Sequence, residues 1–213
     1  MSSRFWTCWT CMALVWMGLM FLVSPYDLEI SKALADRSSW DGILVFRIGE
    51  LPGWAAIAFS LFILAKTHFQ NQARWNYYKP LAQIILLQAL LIPLAVTQSL
   101  KYLWGRTRFM HLTPDFSNYT PFYSPAGLGD GASFPSGHVA MAAVLACIPF
   151  FLWKEKRTRA AYSSAVVVAL WGVFVSWGRI RSGSHYLTDC VMSLGLGWLS
   201  AALIVHLMRR HPG

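Results

Sequence analysis

Residues 178–189 read GRIRSGSHYLTD, and they sit between two apolar runs, AYSSAVVVALWGVFVSW (161–177) and CVMSLGLGWLSAALIVHLM (190–208). Each flanking run is close to the roughly 20 apolar residues that span a bilayer as a helix. Charged side chains are costly beside a hydrocarbon core, so two arginines, a histidine and an aspartate between two spans call for a function.

Reading outward, the chain repeats this pattern. Of its 213 residues, 56% are hydrophobic and only 13% are charged, with a mean hydropathy of +0.44, which is far from the balance of a water-soluble domain. Six apolar stretches approach spanning length: 5–23, 51–65, 81–100, 139–153, 160–177 and 190–208. The second and fourth are short and need residues from their flanks. The first follows Arg4 as a leader would, but it ends LVSPYD without a small-x-small cleavage pattern and reads as a span. The expected fold is all-α: a six-transmembrane-helix bundle forming one integral-membrane domain over residues 1–213.

Basic residues set the expected orientation. Lys66, Arg74 and Lys79, the KEKRTR loop (154–159), Arg209 and Arg210 alternate with segments 24–50, 101–138 and 178–189. The first group, with both termini and Arg4, is expected on the cytoplasmic side. The net charge of +9 then reports topology, and no nucleic-acid partner is expected. Segment 24–50 mixes Asp27, Glu29, Asp36, Asp41 and Glu50 with Lys32, Arg37 and Arg47; it reads as an amphipathic stretch on the surface, without a motif.

Segment 101–138 begins KYLWGRTRF and ends GLGDGASFPSGH. Lys101 and Arg108 are seven residues apart, about 700° on a helix, so they share a face if the helix continues past the membrane. Gly105 could break that helix, and Arg106, rotated by about 140°, is expected at the lipid headgroups. At the other end, Ser136 and Gly137 lie at a helix start, where free amides attract an anion, and Gly127, Gly129 and Gly131 free the preceding backbone. His138 follows one residue into the helix. His185 and Asp189 are four apart, so on a helix the carboxylate would orient one imidazole nitrogen. A snorkelling basic cluster would explain the cations alone, and a salt bridge the His–Asp pair alone. Two histidines and three cations (Lys101, Arg108, Arg179) on one face suit phosphoryl transfer, which needs positive charge, a nucleophile and a proton donor. No His/Asp/Glu/Cys cluster has metal spacing, so neither metal nor cofactor is expected.

Together, K-x6-R at Lys101 to Arg108, PSGH at Pro135 to His138, and R-x5-H-x3-D at Arg179, His185 and Asp189 resemble the three-part signature of the type 2 phosphatidic acid phosphatase superfamily, over roughly residues 81–208. The resemblance implies that His185 attacks phosphorus to give a phosphohistidine and that Asp189 orients it. His138 would protonate the leaving group and later activate water, with Lys101, Arg108, Ser136, Gly137 and Arg179 holding the phosphate. It implies a membrane lipid phosphate as substrate, of the phosphatidic acid, phosphatidylglycerophosphate, undecaprenyl diphosphate or lipid A type, and a bacterial inner membrane with the active site on the periplasmic face. WGRTRF, TPFYSP and RIRSGSHYLTD look like bacterial lipid A phosphatases. A phosphotransferase to another acceptor and a non-catalytic lipid-phosphate binder or transporter remain alternatives. Two positions depart from the signature: Phe109 stands where Pro is usual, which would alter how the loop leaves the membrane, and Gly178 stands where Ser is usual, which would remove a phosphate hydrogen bond.

Cys8 and Cys11 form C-x-x-C within an apolar run and read as small hydrophobes, and Cys147 and Cys190 imply no disulfide framework. Trp153 and Trp177 read as interfacial belt residues, Pro93 as a kink, and Phe109, Phe116, Tyr119, Phe122 and Tyr123 as either belt or lipid entrance.

Overall fold

Apolar runs in a bilayer must satisfy their backbone amides internally, and here they do so as helices. The computed structural model describes residues 3–70, 72–128 and 131–208, and every regular element among them is helical. In chain order these are α1 (Ser3–Val23), α2 (Asp27–Leu34), α3 (Trp40–Ile48), α4 (Leu51–Gln70), α5 (Ala73–Ala89), α6 (Thr97–Trp104), α7 (Gly137–Ala142), α8 (Cys147–Lys154), α9 (Thr158–Arg181) and α10 (Leu187–Leu207). They make six units long and apolar enough to cross a membrane: Ser3–Leu34, Trp40–Gln70, Ala73–His111, Gly137–Lys154, Thr158–Arg181 and Leu187–Leu207. The short runs at 51–65 and 139–153 are both lengthened by their flanks. Gly129, Arg209 and Arg210 lie outside the described residues.

The third span is continuous through Pro93, which lacks an amide proton and sits in a π-helical stretch, Leu90–Val96. The side-chain amide of Gln98 donates to the Pro93 carbonyl at 3.1 Å. α7, α8 and α10 are the most enclosed helices and α1 the most peripheral. Indole N–H groups fasten α1 to α10: Trp9 donates to the Leu199 carbonyl at 2.9 Å and Trp16 to that of Val191 at 2.7 Å. Trp177 donates to Asp41 at 2.7 Å. All four cysteines are free; Cys8 and Cys11 face outward and Cys147 and Cys190 are buried.

One end of the bundle is knitted together by segments distant in sequence. α6 stops at Gly105, whose left-handed backbone (φ 58°) closes the last turn onto the Lys101 carbonyl at 3.1 Å. The helix therefore does not run on to Arg108 as the seven-residue spacing suggested. The turn instead sends Arg106 inward, where it is 1% exposed. Its guanidinium meets Asp27 at 3.0 Å, Asp189 at 2.6 Å, the Thr188 hydroxyl at 2.9 Å and the Thr120 carbonyl at 2.9 Å. The Tyr186 ring lies 4.0 Å from its central carbon. Asp27 also accepts the Thr188 amide at 2.9 Å and the Thr188 hydroxyl. The expectation of Arg106 at the headgroups is thus overturned: two fully buried carboxylates draw it into the protein. Segment 24–50 is likewise more than a surface stretch, because Asp27 lies inside the bundle.

Gly178 has a packing explanation. A side chain there would begin 2.4 Å from the Val45 side chain, so α9 and α3 touch through this glycine. The glycine at this departure from the signature thus has a role in helix packing. Phe109 opens a short 3-10 turn, Phe109–His111, and lies against Phe116 and Tyr186. Phe122 is buried with Phe134 and Met20, and Tyr119 packs on Tyr186, so both serve as loop core.

Removing one partner from a buried ion pair costs about 3–5 kcal/mol, so Arg106→Ala should lower the unfolding temperature in detergent sharply; an unchanged transition would show that the network carries no stability. Gly178→Ser should cost about 1–3 kcal/mol by overpacking, and adding Val45→Ala should recover part of it in the same melt.

Candidate active site

His185 lies in the turn between α9 and α10 and is 1% exposed. It is not on the helix with Asp189, as the four-residue spacing suggested; α10 begins at Leu187, and Asp189 occupies its first turn. The imidazole Nδ1 is 2.6 Å from the Ser133 carbonyl and 3.6 Å from the nearer Asp189 oxygen. A carbonyl only accepts, so Nδ1 carries the proton and Nε2 keeps its lone pair. Burial pushes the imidazole down to about 3, more than Asp189 pulls it up. The ring is neutral at physiological pH.

Asp189 fixes the surroundings of that ring. One carboxylate oxygen receives Arg106; the other receives the Ser133 hydroxyl at 2.5 Å and the Tyr186 amide at 2.9 Å. Ser133 joins the parts, because its amide donates to the Arg106 carbonyl at 3.0 Å while its hydroxyl and carbonyl serve Asp189 and His185. Asp189 thus orients His185 mainly through Ser133.

His138 is the second residue of α7, and its Nδ1 is 3.1 Å from Glu50, which stands between α3 and α4. Arg179, in the last turn of α9, is 4% exposed and lies 5.8 Å from the Phe46 ring. Lys101 donates to the Ala132 carbonyl at 3.0 Å, and its amine lies 3.9 Å from where a side chain on Gly137 would begin. Ser136, just before α7, offers its carbonyl to the Ser193 hydroxyl at 2.8 Å and keeps its own hydroxyl buried. Although no helix joins them, Lys101, Arg108 and Arg179 lie within electrostatic range of one another. Arg179 and Lys101 also act on both histidines. All eight residues singled out in the sequence therefore gather at one end of the bundle.

The Nε groups of Arg108 and Arg179 and the Ser136 hydroxyl are buried without a hydrogen-bond partner. Buried donors normally have partners, and these three stand beside the cluster of cations. A cavity of about 380 Å³ adjoins this end: Glu50 and Gly137 lie at it, and Trp54, Ile57, Leu86, Leu90, Pro93 and Leu94 line it between α4 and the third span. It is mostly apolar, as a lipid chain requires.

Sequence reasoning missed Arg106, Asp27, Ser133 and Glu50. Asp27 and Glu50 did carry a signal, each being a carboxylate next to a spanning run, which calls for a partner. Ser133 carried none, since it acts largely through its backbone.

The chain covers 34% of the length of a phosphatidylglycerophosphatase B from Haemophilus influenzae, at 32% identity over 82 residues and 38% of this chain. It covers 59% of a lipid A 4'-phosphatase from Rhizobium leguminosarum, at 31% identity over 147 residues and 66% of this chain. The fold is similar to the crystal structure of a transmembrane PAP2-type phosphatidylglycerolphosphate phosphatase from Bacillus subtilis, with a TM-score of 0.60 and 21% identity over 96% of this chain and 97% of that one. The PAP2 superfamily model matches residues 82–212, which hold every one of the eight site residues, and the chain belongs to that superfamily.

Proposed function

We propose that the protein is a membrane lipid phosphate phosphatase that works through a phosphohistidine on His185. The observation that carries this reading is the set of unpartnered buried donors on Arg108, Arg179 and Ser136, beside two histidines and Lys101. A phosphate monoester placed there meets positive charge on its free oxygens. His185, neutral with its lone pair on Nε2, attacks phosphorus; His138 gives a proton to the departing oxygen, then takes one from the water that releases phosphate.

The cavity leading away from Glu50 and Gly137 supports a lipid ester over a soluble one. Among lipids, a lipid A-type phosphate is the first candidate, because the similarity to the Rhizobium leguminosarum lipid A 4'-phosphatase extends over 147 residues against 82 for the Haemophilus influenzae phosphatidylglycerophosphatase B. Phosphatidylglycerophosphate is the second. The basic loops support an active site on the periplasmic face of a bacterial inner membrane, with both termini cytoplasmic.

Phosphate release from purified protein in detergent, assayed across phosphatidic acid, phosphatidylglycerophosphate, undecaprenyl diphosphate and a lipid A precursor, should rank the lipid A precursor first; exclusive turnover of phosphatidylglycerophosphate would reverse that ranking. His185→Ala should abolish turnover while leaving the thermal transition in place, and EDTA should leave the wild-type rate unchanged. Leu90→Trp should narrow the apolar cavity, raising KM for a long-chain phosphate several-fold while sparing a short-chain phosphate; equal effects on both would argue against chain binding there.

A further inference from the structure

Resting on the phosphohistidine reading above, the geometry points to Glu50 as a positioning residue that holds His138 ready to protonate the leaving oxygen. Glu50 lies outside all three signature motifs, and the packing of α4 against α7 brings it to the site. Gly53 lets the helices touch: a side chain at 53 would begin 2.7 Å from the Met141 carbonyl oxygen. Both helices start at the same end of the bundle, so the residues three positions before that contact, Glu50 and His138, come face to face.

The pair is oriented from both sides. One Glu50 oxygen lies 3.1 Å from His138 Nδ1, while the other accepts the Trp54 indole at 3.2 Å. Phe46, from α3, stacks on the imidazole at 5.7 Å and 26°. Glu50 is the carboxylate that stands against this ring. The imidazole also bonds the Phe46 backbone, so α3 and Glu50 together fix the plane of the ring.

In the first step a bond forms between His185 Nε2 and phosphorus, and the phosphorus–oxygen ester bond breaks with its electron pair going to oxygen. A ring proton of cationic His138 passes to that oxygen, giving the alcohol and a neutral His138. In the second step His138 takes a proton from water as the water oxygen bonds to phosphorus and the nitrogen–phosphorus bond breaks. Inorganic phosphate and neutral His185 result. Glu50 takes no proton at any stage; it stabilises the cationic ring before transfer.

The leaving group provides the test. Nitrophenolate departs without a proton, whereas an alkoxide needs one, and kcat/KM reports the step that forms the phosphoenzyme. Glu50→Gln should lower kcat/KM for dodecyl phosphate in detergent about 100-fold, in the range of general acid catalysis, and for p-nitrophenyl phosphate less than about 5-fold. Glu50→Asp should recover part of the loss on dodecyl phosphate. Equal losses on both substrates, or no loss on dodecyl phosphate, would overturn the assignment. The phosphohistidine reading is checked separately in the wild type by quenching turnover of ³²P-labelled dodecyl phosphate and looking for an acid-labile phosphoprotein that His185→Ala lacks. Absence of that species would count against the phosphohistidine and leave the leaving-group contrast to stand alone.

Discussion

Arg106 sits between two fully buried carboxylates, and the organisation of the site end follows from that charge. A guanidinium inside a membrane protein is tolerated only when its donors are met. Here Asp27, Asp189, Thr188 and the Thr120 carbonyl meet them, and the Tyr186 ring covers its face. The four elements that contribute, α2, the Gly105 turn, the long loop and the start of α10, are thereby drawn to one point. Asp189 is left with a single oxygen for Ser133 and Tyr186, and Ser133 in turn fixes the proton of His185. The orientation of the proposed nucleophile is thus inherited from an ion network that never touches substrate.

Beside that network, one arginine between two carboxylates, lies a second group of charges in which cations predominate. Lys101, Arg108 and Arg179 repel one another; of the carboxylates that act on them, Asp189 is already engaged by Arg106 and Glu50 stands against His138. Separating the two groups has a chemical use under the proposed function: one fixes geometry, while the other would be stabilised by an arriving phosphate. Burial that would be a liability for a charged imidazole suits His185, which is neutral and keeps Nε2 as an unshared electron pair.

The six spans, the helical class and the choice of eight residues that gather at one end were legible in the sequence, because apolar length and motif spacing are local properties. Their geometry was less legible. Lys101 and Arg108 do serve one cluster, yet the reason is the left-handed turn at Gly105 and not a shared helix face. His185 and Asp189 do act together, but through Ser133, whose carbonyl no side-chain pattern reveals. The positions of Asp27 and Glu50 beside spanning runs called for partners, but only tertiary packing shows that one is buried and the other faces His138. Gly178, read in sequence only as a departure from the signature, is also a helix contact with Val45.

The most direct measurement is a structure of the protein with orthovanadate, which adopts the five-coordinate geometry of phosphoryl transfer. The phosphohistidine assignment predicts vanadium bonded to His185 Nε2, with the remaining oxygens on Arg108, Arg179 and the Ser136 hydroxyl, and His138 beside the apical oxygen opposite His185. Vanadium bonded to His138, or held away from both histidines, would contradict it.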